Sequence, residues 1–173
     1  MTDSDTDKAI AALRESDLGS NPAALRAFNR DVVEEFRANG GKVGGTFEGA
    51  DVLLLTMTGA RSGKPRLTPL EYFMIDGRIL ILGTYGGAPK DPAWVHNLRA
   101  NAEAHVEIGT DSYDVVAHEL SGDEHRKLFA ELVQLAPRIE TYRTRTTRQF
   151  PIFELRRMDG PEGRTASAPS ALS

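Results

Sequence analysis

Arg66-Leu-Thr-Pro-Leu-Glu-Tyr-Phe-Met-Ile-Asp-Gly-Arg-Ile-Leu-Ile-Leu-Gly-Thr84 holds two runs of strand-forming residues separated by Asp76-Gly77. Asp-Gly in a two-residue loop tolerates the positive φ angles of a tight hairpin turn, so strands over Arg66 to Ile75 and Arg78 to Thr84 are expected to lie antiparallel. Further strands extend outward from this hairpin. Asp51 to Thr58 precedes it, Ala104 to Ile108 and Tyr113 to Leu120 flank Gly109-Thr110-Asp111 as a second hairpin, and Phe150 to Arg156 comes last. Between and before them the apolar period changes. Asn21-Pro22 opens a helix with Leu25, Phe28, Val32 and Phe36 on one face, stopped by Asn39-Gly40-Gly41. Pro92 to Ala100 reads as a short helix. Ser121-Gly-Asp-Glu124 reads as a capping box opening a helix to about Ala136, with Leu128, Leu132 and Leu135 on one side. Pro137 to about Thr147 is a further helical segment. Six short strands joined mostly by hairpins are not a βαβ pattern, so an α+β fold is expected, with a mainly antiparallel sheet closing into a small barrel.

The 173-residue chain carries 21 Lys and Arg against 25 Asp and Glu, a net charge of −4, which argues against nucleic-acid binding through a general basic surface. Cysteine is absent, which excludes disulfides, thiolate metal sites and cysteine nucleophiles. Apolar runs such as Val52 to Leu55 fall far short of the roughly 20 residues that cross a bilayer. Asp3, Asp5 and Asp7 give the N-terminus none of the character of a signal peptide, so a cytoplasmic protein without a stable membrane anchor is expected. Residues 1–20 are expected to be a flexible arm and 159–173, rich in Gly, Pro, Ser and Ala, a disordered tail. A single domain over 21–158 lies between them.

Three stretches could carry chemistry. Between Gly59 and Arg66 stand three cations (Arg61, Lys64, Arg66), no acid and the hydroxyl of Ser62. Glycine lets backbone N–H groups turn toward an anion while guanidinium groups bind phosphate or carboxylate oxygens; an ordinary solvated turn remains the alternative. A Walker loop is excluded, because only three residues separate Gly59 from Gly63 and Pro65 follows Lys64. The second stretch, Gly83 to Asn97, places Gly86-Gly87 and the only tryptophan, Trp94, after a strand, without the spacing of a dinucleotide fingerprint. Trp94 reads either as core or as a ligand wall. In the third, Pro137 to Arg148, four arginines and Tyr142 form either a solvated helix face or a lid over an anionic ligand, with Tyr142 inward as a proton donor. The four histidines lack metal-ligand spacing, and no metal site is expected.

Gly44-Gly45-Thr46-Phe47, Thr58-Gly-Ala-Arg-Ser-Gly-Lys-Pro-Arg66, Gly86-Gly87-Ala88, Pro92-Ala93-Trp94 and Asn97-Leu-Arg-Ala-Asn101 together resemble the deazaflavin-dependent nitroreductase family, over about Asn21 to Phe153. The resemblance implies a split β-barrel, like those of flavin reductases and pyridoxamine-phosphate oxidases. It also implies the 8-hydroxy-5-deazaflavin coenzyme F420 as two-electron donor to electrophilic small molecules: enones, quinones or nitroaromatic compounds. It assigns Arg61, Ser62, Lys64 and Arg66 to the anionic phospholactyl and glutamyl end of the coenzyme, and Ala60 also to the coenzyme site. Pro69, Thr84, Tyr85, Gly86 and Gly87 would line the ring and ribityl chain, completed by Ala93, Trp94 and Asn97. Of the family's C-terminal tyrosines only Tyr142 is matched, which makes it the candidate catalytic proton donor; Ala136 and Ile139 stand where others would be expected. Barrels of this kind often pair, so a homodimer is compatible with the resemblance. Two other readings stay open: an FMN-dependent reductase on a similar barrel, and a non-catalytic deazaflavin carrier.

Overall fold

The computed structural model describes residues 22–45 and 49–158. The expected N-terminal arm, the Asn21 cap, the Thr46-Phe47 part of one motif and the C-terminal tail lie outside the described residues. Helix α1 (Pro22–Ala38) leads into seven strands: β1 (Val52–Thr58), β2 (Pro65–Glu71), β3 (Phe73–Ile75), β4 (Arg78–Leu82), β5 (Glu103–Ile108), β6 (Asp111–Glu119) and β7 (Ile152–Arg157). A single 3-10 turn (Tyr85–Gly87) and helix α2 (Ala93–Ala100) separate β4 from β5. Helices α3 (Gly122–Leu135) and α4 (Arg138–Arg143) separate β6 from β7.

All strands join one sheet in the order β2-β1-β5-β6-β7-β4-β3, and every pairing is antiparallel. Its two edges, β2 and β3, are consecutive in the chain. The sheet must therefore curl until its edges lie one residue apart, at Tyr72, whose N–H donates to Asp51 O at 2.9 Å. Here the structure differs from the single strand expected over Arg66 to Ile75. The chain pairs with β1 up to Glu71 and with β4 from Phe73, giving seven strands rather than six. Strand propensity runs unbroken through the bend because each half keeps a partner, so only pairing reveals it. The Asp76-Gly77 turn forms as expected, with φ of 51° and 77°.

Inside the curl, Leu53, Leu55, Met57, Ile81, Val106, Phe153 and Leu155 pack with Trp94, Val95 and Leu98 of α2. Val52 and Leu54 point to the opposite face and are covered by Val33 and Phe36 of α1. A third cluster joins Leu128 and Leu132 of α3 to Ile139 and Tyr142 of α4 over Leu80 and Ile152. Two expectations for α3 are corrected. Ser121 makes no side-chain cap hydrogen bond, and Glu124 accepts instead from Arg78 Nη2 at 3.1 Å, a charged donor on β4 outcompeting a backbone amide. Leu135 is 56% exposed, one turn beyond the buried stripe. The helix expected to run to Thr147 ends at Arg143, and the Gly109-Thr110-Asp111 loop shortens to two residues as β6 begins at Asp111.

Candidate functional site

β4 runs past its partner β3, so that Ile81 and Leu82 pair only with β7. On that side a gap opens between β4 and β2. It forms a cleft of about 180 Å³, walled by Pro69, Leu70 and Glu71 of β2 and by Ile81 and Leu82 of β4. Trp94 and Pro92 close one side, Thr84 and Tyr85 another, and Arg138, Ile139 and Tyr142 of α4 form the roof. Five of the residues singled out in the sequence, Pro69, Thr84, Tyr85, Trp94 and Tyr142, thus share one cavity. Trp94 is a core residue, 7% exposed and edge-on to Phe153 at 5.6 Å between centroids, and it also lines the cleft. Tyr142 is 4% exposed.

The basic turn is built separately, at the other end of β2. Gly59 N–H donates to Lys64 O at 2.8 Å and Gly63 N–H to Gly59 O at 2.9 Å, with Gly63 at φ 69°. The Lys64 N–H donates to Ser62 Oγ at 3.1 Å, so this hydroxyl shapes the turn. A Cβ on Gly59 would stand 2.6 Å from Ser62 Oγ and 3.3 Å from Arg66 Nε, which is why glycine is needed there. Arg61, Lys64 and Arg66 are exposed, and among the described residues no carboxylate pairs with any of them. By contrast Arg37, Arg78, Arg99, Arg138, Arg143, Arg148 and Arg156 all hold carboxylates. Three cations without counter-charge among the described residues suit an anionic ligand.

Turn and cleft are joined twice. β2 itself connects them, with Arg66 and Pro69 about 10 Å apart along the strand. Helix α2 makes the second link: Trp94 at its start walls the cleft, and Asn97 one turn later accepts from Ala60 N–H through Oδ1 at 2.9 Å. Ala93, in the first turn of α2, is exposed. At the far end of α2, Arg99 donates to both Glu119 oxygens at 2.9 and 2.7 Å, and these bonds raise its pKa above the usual value. The Asn97 side chain is therefore a positioning group for the basic turn. Asn97→Leu should cost about 0.5–1.5 kcal/mol, the net worth of one hydrogen bond, and speed amide exchange at Ala60 more than at Leu98. Equal protection of Ala60 in variant and parent would refute that role.

The arginine-rich stretch resolves into distinct tasks. Arg148 donates to Gly83 O (2.9 Å), Thr84 O (2.9 Å), Ala88 O (3.1 Å) and Asp91 Oδ1 (2.6 Å), binding the loop that carries Thr84 and Tyr85. Arg143 pairs with Glu140 on its own helix, and the Arg145 guanidinium lies 5.5 Å from the Tyr142 ring centroid. Arg138, with its side chain 6% exposed, pairs with Glu71 in the cleft wall. Gly87, at φ 82°, is buried against α4: a Cβ there would lie 2.8 Å from Tyr142 O. Its missing side chain seats the roof helix on the Thr84 loop. The Arg148 clamp and the Glu71–Arg138 pair escaped the sequence, where nothing separates one arginine of four from another. His125 is buried with Nε2 2.8 Å from Phe150 O, and His105 Nδ1 meets Asp114 Oδ1 at 2.8 Å. Among the described residues no group of three His, Cys, Asp or Glu could hold a metal ion, and no helix is long and apolar enough to cross a membrane.

Residues 28–157 match the family model described as F420H(2)-dependent quinone reductase. The chain is 34% identical over 128 residues to F420H(2)-dependent quinone reductase Rv1261c of Mycobacterium tuberculosis (strain H37Rv), covering 70% of this chain and 85% of that protein. Among solved structures it is similar to an F420-H2-dependent reductase, FDR-A, at 35% identity and TM-score 0.55, over 61% of this chain and 93% of the other. A second, described as a domain-swapped dimer, is 31% identical with TM-score 0.56, over 75% of this chain and 98% of the other.

Proposed function

Because the chain belongs to the F420H(2)-dependent quinone reductase family, we propose that it uses reduced coenzyme F420 to reduce quinones, with enones and nitroaromatic compounds as further acceptors of the same electrophilic kind. One observation carries this reading. A single strand, β2, joins a turn bearing three cations without carboxylate partners among the described residues to a mostly apolar cleft walled by a tryptophan.

The residues present fit the coenzyme. Arg61, Lys64 and Arg66 would hold its phosphate and carboxylates, while Pro69, Thr84, Tyr85 and Trp94 would flank the flat ring with apolar surface and backbone. When bound, reduced F420 supplies a hydride. The protein's part is to orient the acceptor and to exclude water, for which the roof formed by Ile139 and Tyr142 is placed over the cleft. Tyr142 is the group we assign to the acceptor oxygen, donating a hydrogen bond and a proton as negative charge develops there. For a quinone, one hydride and one proton complete the two-electron reduction to the hydroquinone, the proton going to the oxygen on which negative charge develops.

Mixing the protein anaerobically with reduced F420 and menadione should restore the absorbance of the oxidised coenzyme only when the quinone is present. Tight coenzyme binding without turnover on a quinone, an enone or a nitroarene would identify a carrier instead. FMN should bind more weakly than F420, since one phosphate engages fewer of the three cations.

A further inference from the structure

The cleft of about 180 Å³ is smaller than the roughly 300 Å³ at which ligand-sized pockets begin. A cleft of this size is sensitive to the bulk of what enters it, so any wall that can move bears on which acceptors fit. The sheet walls are paired strands, and Trp94 is packed edge-on against Phe153 in the central core. The roof is different: α4 is a six-residue helix joined to α3 through Ala136-Pro137. Its two ends are held differently. The C-terminal end sits closed on Gly87, where a Cβ would meet Tyr142 O at 2.8 Å, beside the loop that Arg148 clamps. The N-terminal end is tied to the sheet edge by Arg138, whose guanidinium pairs with Glu71 across the cleft wall. Both members of that pair line the cavity, so part of its outline on this side is set by an ion pair, beside Ile139 and Tyr142 of the α3–α4 core cluster.

We propose that the Glu71–Arg138 pair is the specificity-determining element for acceptor size, fixing how far α4 stands from β2. Compact acceptors fit with the pair made, and larger fused-ring acceptors require it to part. This rests on the reading of the cleft as the acceptor site. The pair is an expensive device for a wall, because two charges must be desolvated there where apolar side chains would close the gap at less cost. Its reward is a contact that can break and re-form as a unit.

Trp94 provides a direct probe, being the only tryptophan and a cleft wall. Full-length protein is titrated with one-ring duroquinone, two-ring menadione and three-ring phenanthrenequinone, following Trp94 quenching, and kcat/KM with reduced F420 is measured for the same series. Glu71→Ala/Arg138→Ala removes both charges together, so that neither is left buried alone. The double variant should gain about tenfold or more in affinity and in kcat/KM for the three-ring quinone relative to duroquinone, the discrimination that pocket size commonly supplies. Arg138→Lys, which can re-form the pair, should keep the parent's order. Should the double variant fail to fold, Glu71→Gln weakens the pair at constant shape and should move the same ratio in the same direction. An unchanged three-ring to one-ring ratio in the folded variant overturns the proposal. Absence of both quenching and turnover with every quinone in the parent and variants would instead overturn the cleft as the acceptor site.

Discussion

Arg148→Met is expected to destabilise the protein by about 3–5 kcal/mol, the cost of removing one partner from a buried charge pair. Its side chain is 13% exposed and that of Asp91 16%, and the same guanidinium satisfies the carbonyls of Gly83, Thr84 and Ala88. Arginine presents five donors in a fixed planar fork, and no other side chain can reach three carbonyls and a carboxylate at once. Methionine keeps a stem of similar length but removes the guanidinium, which also lies 4.9 Å from the Phe150 ring centroid, and leaves those acceptors to water. For a chain of this size such a loss lowers the melting midpoint by roughly 6–20 °C. Amide exchange should accelerate first between Gly83 and Asp91. Arg143→Met serves as the control: that arginine pairs with Glu140 at the surface of its own helix, and its loss should leave the midpoint where it was. Equal midpoints for the two variants would show that the clamp contributes nothing.

Charge reversal in the basic turn should do the opposite, leaving stability intact and weakening coenzyme binding. Arg61→Glu or Arg66→Glu is expected to weaken coenzyme F420 by more than about tenfold, since each charge-assisted hydrogen bond is worth roughly 1.5–3 kcal/mol and reversal adds repulsion. The side chains are exposed and hold no carboxylate among the described residues, so the thermal midpoint should not fall. Titration of F420 fluorescence with parent and variants reads the affinity directly. Added salt should weaken the parent more steeply than the variants, because screening acts on the charges that remain. Parent-like affinity in both variants would mean that the turn is an ordinary solvated loop.

The two variants separate kinds of arginine that look alike in sequence. Within Pro137 to Arg148, a stretch with four arginines suggests either a solvated helix face or a lid over an anion. The structure divides it: Arg148 is a clamp on the Thr84 loop, Arg138 part of the cleft wall, Arg143 a surface ion pair. Between Gly59 and Arg66 the same residue type has no carboxylate nearby in sequence and finds none among the described residues in space. That concordance made the turn readable from composition alone. Gly87 shows the reverse case. A glycine pair after a strand suggests close approach of a ligand, whereas the atom that meets Gly87 is the carbonyl oxygen of Tyr142.

The sequence by itself determined the antiparallel class of the sheet, the Asp76-Gly77 turn, the amphipathic face of α1, and the cationic, acid-free composition of the Gly59–Arg66 turn, because each depends on residues close together in the chain. Alternation, turn chemistry and local charge are short-range properties. The expected closure of the sheet is present, but the break at Tyr72, which makes β2 and β3 its two edges, and the separate tasks of Arg148 and Arg138 were decided only in three dimensions. Each of these depends on which distant segment supplies the next hydrogen bond: β4 for Phe73, the Gly83–Asp91 loop for Arg148, and Glu71 for Arg138. Such partners lie as many as 67 positions apart, as Glu71 and Arg138 do, and they are brought together by closure of the sheet rather than by any pattern along the chain.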